Sequence, residues 1–133
     1  MSNGLQKYFE KNSGSGMLST ADADGRVNAA VFARPHVLED GTLTMIMADR
    51  LSRANLEQNP HAAYLFREDG PGWKGKRFHL TRIRDEQDPE RIRALRRRTY
   101  SPDDEARIGE LHLVTFRIDK ELPLVGPEVD EQD

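Results

Sequence analysis

Cysteine is absent from this chain of 133 residues. Without thiols there can be no disulfide, iron–sulfur cluster, thiolate zinc site or thiol redox centre, and we expect a reducing, cytoplasmic location. No apolar run approaches the roughly 20 residues that a membrane helix needs. Segment 1–16, MSNGLQKYFEKNSGSG, also lacks the charged and apolar regions of a signal peptide, so we expect no membrane association.

Apolar and aromatic residues are scarce, at 36% and 7% of the chain. Charged residues make up 32%, with a net charge of -3, and the mean hydropathy is -0.77. A chain of this length predicts one domain over residues 1–133 with a single core. Because so little apolar material is available, we expect a partner subunit or a bound cofactor to complete part of the apolar surface.

Turn signals divide the chain into short strands. Asp24-Gly25 and Asp40-Gly41 each separate two apolar stretches, which is typical of β-hairpins. Further strands are predicted where apolar residues alternate with polar ones, at AAYLFR, FHLTRIR and LHLVTFRI. Short strands at turn-marked intervals favour a mainly β (α+β) fold, a small antiparallel β-barrel with a few short helices.

Three helices are expected, one before the first strand and two between later strands. The spacing of Leu5, Tyr8 and Phe9 predicts an N-terminal helix within residues 1–15, and the spacing of Ile92 and Leu95 predicts another within PERIRALRRR. The third is the segment SRANLEQ, which the following Asn-Pro pair ends. Residues 122–133 predict an acidic, proline-punctuated tail.

The start of the SRANLEQ helix is a candidate anion site. A helix beginning near Ser52 offers free backbone N–H groups and the positive end of its dipole, which together favour a phosphate. Ser52 and Asn55 share one face, and Arg50 and Arg53 can add charge-assisted hydrogen bonds. The alternative is structural: Ser52 is an N-cap and the arginines are a solvated helix end.

The stretch GPGWKGKR at residues 70–77 is nearly a phosphate-binding P-loop. A P-loop needs Ser or Thr after its lysine and a helix after the loop, whereas Arg77 follows Lys76 and a strand is predicted next. Nucleotide hydrolysis is therefore not expected. The loop is either a flexible connection or a lid in which Trp73 covers a planar ligand while Lys74 or Lys76 attracts an anion.

Other charged and titratable residues give weaker patterns. The four histidines have no metal-ligand spacing, and we expect no metal site. The arginine-rich segment at 91–98 is flanked by acidic residues and lacks interleaved aromatics, which favours a solvated helix face over a nucleic-acid groove. We therefore expect no nucleic-acid partner, with an arginine-helix nucleic-acid module as the lowest-ranked alternative.

The order of these segments resembles the FMN-binding split barrel of the pyridoxamine 5′-phosphate oxidase-like superfamily. The resemblance covers roughly residues 16 to 84. It lies in a hairpin, a strand ending in TLTMIMADRLSRANLEQNPHAAYLF, the Asn-Leu pair of a short helix and the Asn-Pro pair that ends it. The oxidase carries an arginine and a lysine in this strand, whereas NAAVFARPH offers Arg34 but no lysine. The oxidase has adjacent Arg and Lys after its Ser, whereas Arg53 and then Ala54 follow Ser52 here. The oxidase's long C-terminal segment has no counterpart in residues 121–133. The shorter flavin-binding members are therefore the closer comparison.

The resemblance implies a single split-barrel domain that binds FMN at a homodimer interface. It places the phosphate near Arg50, Ser52 and Asn55. The flavin ring would lie beside six further residues, and Trp73 is the lid candidate. The ring-lining set is Val31, Phe32, Ala33, Arg34, Met47 and Ala48.

The implied activity is an FMN-dependent oxidoreductase of unknown substrate, because flavin carries redox chemistry without a protein acid–base pair. A non-catalytic FMN-binding electron carrier or flavin store is the alternative. The sequence leaves open the small-molecule or redox-protein partner. It also does not distinguish FMN from a deazaflavin or from haem, for which one histidine could serve as an axial ligand.

Overall fold

A computed structural model describes residues 2–96 and 106–126 of the chain. These residues form seven strands and three helices, with a short 3₁₀ turn at Ile108–Glu110. The helices are α1 (Ser2–Lys11), α2 (Leu51–Gln58) and α3 (Pro89–Leu95). The strands are β1 (Gly14–Ala21), β2 (Val27–Val31), β3 (His36–Val37), β4 (Leu43–Met47), β5 (His61–Glu68), β6 (Gly75–Glu86) and β7 (His112–Pro123).

All seven strands form one antiparallel sheet in the order β2-β1-β5-β6-β7-β4-β3. Gly25 and Gly41 adopt positive φ angles of 86° and 88° in the predicted hairpin turns, where glycine avoids a Cβ clash. The expected mainly β, antiparallel fold is confirmed. No helix in the described part of the chain is long and apolar enough to cross a membrane.

The core lies on the inner face of the curved sheet. Alternating residues of β5 supply two fully buried aromatic side chains, Tyr64 and Phe66, as their period of two predicts. Helix α1 adds Phe9, whose ring packs edge-on against Phe66 at a centroid distance of 5.3 Å. Leu56 of α2 is also buried, so both helices are held by apolar side chains inserted into the same cluster.

Two strands, β6 and β7, extend beyond their predicted ends. Strand β6 begins at Gly75, so Lys76 and Arg77 are paired with β5 rather than lying in a loop. The P-loop alternative is thereby excluded, because a strand follows the glycines. Strand β7 runs to Pro123 and Leu124 is buried beyond it, so the first residues of the predicted tail pack on the sheet. Residues 127–133 of that tail lie outside the described residues.

The two edge strands β2 and β3 are consecutive in the chain, and the segment between them is fixed to the core. The Tyr64 hydroxyl donates to the carbonyl oxygens of Phe32 and Ala33, at 3.3 and 3.1 Å. A Cβ on Gly16 would lie 1.9 Å from that hydroxyl and 2.6 Å from the Phe32 oxygen. Only glycine therefore allows β1 to approach this closely, and the approach fixes the end of β2 beside helix α2.

Candidate functional site

A cleft of about 390 Å³ lies between the edge strand β2 and the start of helix α2. Its two walls come from segments that are distant in sequence. They meet because α2 packs against β1 and β2. The lining is formed by Asn28, Ala29, Ala30, Val31 and Phe32 on one wall and by Ala48, Arg50, Leu51 and Ser52 on the other. None of these side chains is a carboxylate or an imidazole.

The helical wall presents hydrogen-bond donors to the cleft. Arg50 is the N-cap residue, in an extended conformation, and its carbonyl oxygen accepts the bond from the Ala54 N–H at 2.9 Å. The N–H groups of Leu51, Ser52 and Arg53 precede that bond and so have no acceptor within the helix. Ser52 is 7% exposed and lies inside the first turn. The N-cap alternative for Ser52 is therefore wrong, because the helix starts one residue before it.

Among the described residues, Arg50 is the only cationic side chain that lines this cleft. It is exposed, and its guanidinium has no carboxylate partner among the described residues. By contrast, Arg53 turns away from the cleft and pairs with the carboxylates of Asp49, Glu57 and Asp85. Of the residues predicted for the anion site, Arg50 and Ser52 line this cleft, whereas Arg53 lines another one.

The strand wall is apolar and has a free backbone edge. Strand β2 pairs only with β1 in the described sheet, so its outer edge has unpaired N–H and C=O groups. Val31 is 80% exposed and lies directly opposite Met17 of β1, which in turn lies opposite Leu65 of β5. This row, together with Val27 and Leu51, forms an apolar outer face beside the cleft.

Five of the ten predicted cofactor residues meet at this cleft, namely Val31, Phe32, Ala48, Arg50 and Ser52. Ala33 lies just beyond β2, where its carbonyl accepts the Tyr64 hydrogen bond. Arg34 points elsewhere: its Nη1 donates to the carbonyl oxygens of Phe9 and Asn12 at 2.6 and 3.1 Å. These contacts cap the end of helix α1.

The other three predicted residues also lie outside the cleft lining. Met47 is 1% exposed and belongs to the core. Asn55 is 5% exposed, and its Nδ2 donates to Thr20 Oγ1 at 3.1 Å, which ties α2 to β1. Trp73 is 70% exposed in the β5–β6 turn, where the Arg67 guanidinium lies 4.6 Å from its ring centroid. Within one chain, Trp73 does not reach the cleft.

A second cluster of polar residues lies where α2 meets β6 and β7. Arg53 donates to Asp49, which precedes α2, at 2.9 Å and to Glu57 of α2 at 3.1 Å, and its Nε donates to Asp85 at 2.8 Å. The other oxygen of Asp85 lies 2.6 Å from His112 Nδ1. Burial lowers the pKa of Arg53, but the Asp49 hydrogen bond and the Asp85 charge outweigh it and raise this pKa above its ordinary value.

This second cluster does not follow from the sequence pattern. Asp85 and His112 lie 27 residues apart in the chain, and no local spacing relates them. The arginine helix matches its predicted solvated face as far as it is described. Arg93 pairs with Glu90 at 3.3 Å, Arg91 lies 3.6 Å from Glu86, and Arg97 and Arg98 lie outside the described residues.

Several solved structures have a similar fold. An FMN-binding protein from Syntrophomonas wolfei subsp. wolfei matches with a TM-score of 0.73 and 22% identity, over 92% of this chain and 84% of that one. A candidate pyridoxamine 5′-phosphate oxidase from Lactobacillus delbrueckii matches with a TM-score of 0.65 and 16% identity, over 89% and 90%. An F420 reductase matches with a TM-score of 0.63 and 18% identity, over 86% and 94%.

The chain has the split-barrel fold. The resemblance seen in residues 16 to 84 is therefore confirmed at the level of the fold. No protein-family model and no curated protein matches the sequence.

Proposed function

We propose that this protein is a homodimeric flavoprotein that binds FMN in the cleft between β2 and α2, and that it acts as an oxidoreductase. The observation that carries the proposal is the pairing of the two walls. One wall ends in unpaired N–H donors, a serine hydroxyl and an arginine, and the other is an apolar strand with a free backbone edge. FMN has a phosphate at one end and a planar ring with polar edges at the other.

The start of α2 suits the phosphate. Backbone N–H groups at a helix start point at an anion, and the helix dipole favours negative charge there. Ser52 adds a hydroxyl donor, and Arg50 can form charge-assisted bonds to phosphate oxygens because no carboxylate of the described residues competes for it. In this arrangement Asn55 is a positioning residue, since its amide already bonds Thr20.

The end of β2 suits the flavin ring. Val31, Phe32 and Ala48 supply apolar contacts, and the unpaired backbone groups of the edge strand can bond the polar edge of the ring. When bound, FMN supplies hydride and electron transfer. The chain's own residues orient the ring, bond its edge and exclude water from one face.

A second copy of the chain fits the apolar outer face. Met17, Val27, Val31, Leu51 and Leu65 are between 39% and 82% exposed in a single chain. A contiguous exposed apolar patch of this kind marks an interaction surface, and a self-complementary patch gives a two-fold dimer. Because Val31 and Leu51 also line the cleft, dimerisation would bury the bound flavin from its open side.

Within the described residues, the cleft lining contains no acid–base side chain, which is compatible with two roles. In an oxidoreductase the flavin alone carries the redox step, and the substrate is a small molecule not yet known. In the alternative, the protein carries electrons or stores FMN without turnover. Reduction of the FMN-loaded protein by NADH or NADPH, followed by multiple turnovers with an acceptor such as oxygen, separates the two. If no donor reduces the flavin, the enzyme assignment has to be given up.

The phosphate placement is tested by comparing FMN with riboflavin. Replacing Ser52 and Arg50 together by Ala should weaken FMN binding by roughly a hundredfold, because about two charge-assisted hydrogen bonds to the phosphate are lost. Riboflavin binding should change by less than about threefold, because it lacks the phosphate. Both affinities are measured by quenching of flavin fluorescence on titration.

The matched control is Arg84→Ala, which removes an exposed arginine of β6 that pairs with Glu86. This variant should bind both flavins like the original protein. Equal weakening of FMN and riboflavin in the double variant would place the phosphate elsewhere. A protein that binds neither flavin would refute the flavoprotein assignment itself.

A further inference from the structure

A second cleft, of about 480 Å³, shares no lining residue with the proposed flavin cleft. Its walls come from α2, from β6 and the residue after it, and from the first residue of β7. The lining is entirely polar: Arg53, Glu57, Arg82, Asp85, Gln87 and His112. A cleft with this lining is suited to a small charged ligand and not to a flavin ring.

Asp85 fixes the histidine of this cleft in one orientation. One Asp85 oxygen accepts from Arg53 Nε at 2.8 Å, and the other lies 2.6 Å from His112 Nδ1. Since this carboxylate accepts hydrogen bonds on both oxygens, the imidazole donates its Nδ1–H to it. The opposite nitrogen, Nε2, then has a free lone pair in the neutral ring. It has no hydrogen-bond partner among the described residues.

Arg82 is the cation of the cleft that lacks a carboxylate in the described part of the chain. Its Nε donates to the Leu56 carbonyl oxygen at 3.1 Å, which is a neutral acceptor. The other arginine, Arg53, is surrounded by Asp49, Glu57 and Asp85. The second cleft therefore combines one unneutralised guanidinium with one oriented hydrogen-bond acceptor, His112 Nε2.

We propose that this cleft is a second ligand site, for a small phosphate that has both a charged oxygen and a hydroxyl group. Arg82 contacts the charged oxygen, and His112 Nε2 accepts the hydrogen bond of the P–OH group. Inorganic phosphate and a singly protonated phosphate monoester share this chemistry. Sulfate has the charged oxygens but no hydroxyl at neutral pH. The site is independent of flavin binding.

The experiment is a phosphate titration of the full-length protein at pH 7, followed by the Hε1 proton signals of its four histidines. The His112 signal is assigned with His112→Gln. Phosphate should shift this signal saturably while those of His36, His61 and His79 stay fixed. Sulfate at equal ionic strength should bind at least about tenfold more weakly, because the hydrogen bond to Nε2 is lost. Equal responses to both anions, or no saturable shift, would overturn the proposal.

Three variants test the contacts. Arg82→Gln should weaken phosphate at least about tenfold, whereas Arg84→Gln, two residues along the same strand, should leave the affinity unchanged. If Arg82→Gln fails to fold, the phosphate–sulfate comparison on the original protein still decides. Ser52→Ala should leave the His112 response intact; its loss would mean that the phosphate binds at the start of α2 instead.

The two proposals fail separately. Saturating FMN should not alter the His112 response to phosphate, because the clefts share no residue. A protein that binds FMN without a phosphate-dependent His112 shift retains the flavin assignment and loses the second site. A protein that shows the shift but binds no flavin retains only the second site.

Discussion

Helix α2 lies between two clefts that differ in whether their cationic and donor groups have carboxylate partners. At its start, N–H groups, the Ser52 hydroxyl and the Arg50 guanidinium face a cleft that offers them no carboxylate. In the same first turn, the Arg53 side chain lies on another side of the helix and pairs with three carboxylates, one of which also contacts His112. The donors at the start of α2 thus lack a carboxylate partner among the described residues, whereas Arg53 has three.

The difference separates donors that bind a ligand from donors that position an element. The Arg53–Asp85 pair joins the first turn of α2 to β6. Its side chains are only 14% and 16% exposed, so water screens it poorly and breaking it is costly. Because this side fixes the helix, the donors at its start can remain preorganised for an anion without partners of their own.

Asp85→Ala should break the paired side and have the largest effect on stability. The substitution leaves Arg53 without one carboxylate and His112 without its acceptor, and we expect the free energy of unfolding to fall by about 2–4 kcal/mol. Urea denaturation measures this change.

Glu86→Ala is the matched control, since Glu86 is the next residue of the same strand and pairs with exposed arginines. Surface ion pairs contribute little, so the loss should stay below about 1 kcal/mol. A similar loss in both variants would show that the Asp85 cluster does not hold α2 in place.

The fold could be predicted because its signals are local. Asp24-Gly25 and Asp40-Gly41 mark turns whose glycines adopt positive φ, and the alternation in β5 identifies the buried Tyr64. The predicted cleft residues that meet in space are those tied to a helix start, such as Ser52, or to the strand facing it, such as Val31. A helix start has local sequence signals of its own, in the residue types at its N-cap and first turn.

The remaining site depends on register, which no local pattern determines. Strand β6 has irregular pairing between Arg82 and Arg84, and the pairing sets the position of Asp85 relative to the first residue of β7. Likewise, the resemblance places Arg34 beside the flavin ring, but its side chain donates hydrogen bonds to carbonyl oxygens at the end of α1. Long side chains reach partners that only the tertiary structure brings near.

Asn55→Ala should remove the uncharged hydrogen bond that joins α2 to β1. The change leaves the buried Thr20 hydroxyl without its partner, and we expect a loss of about 1–2 kcal/mol in the free energy of unfolding. Both flavins should then weaken to a similar, small extent, because the residue positions α2 without contacting the phosphate. Thermal or urea unfolding and flavin titration measure the two effects.

A cycle with Thr20→Val provides the control for Asn55. If the two side chains act through their shared bond, the double variant should lose less than the sum of the single variants. A selective loss of FMN relative to riboflavin, at unchanged stability, would instead make Asn55 a phosphate ligand, as the sequence prediction had it.

Val31→Glu tests the open side of the flavin cleft and should leave the stability of one chain nearly unchanged. Val31 is 80% exposed in a single chain, so the substitution should alter the free energy of unfolding by no more than about 0.5 kcal/mol. A carboxylate at the centre of the proposed apolar dimer face should nevertheless weaken dimerisation at least about tenfold, or about 1.4 kcal/mol. Sedimentation velocity measures the dissociation.

Val125→Glu controls for the added charge, because Val125 is 64% exposed and lies beyond the end of β7. If the outer face of β2 joins two copies, only Val31→Glu should yield monomers, and FMN affinity should fall with the dimer, since Val31 also lines the cleft. Equal dissociation of both variants would refute this face as the interface. A monomeric original protein that binds FMN tightly would show that one chain completes the flavin cleft alone.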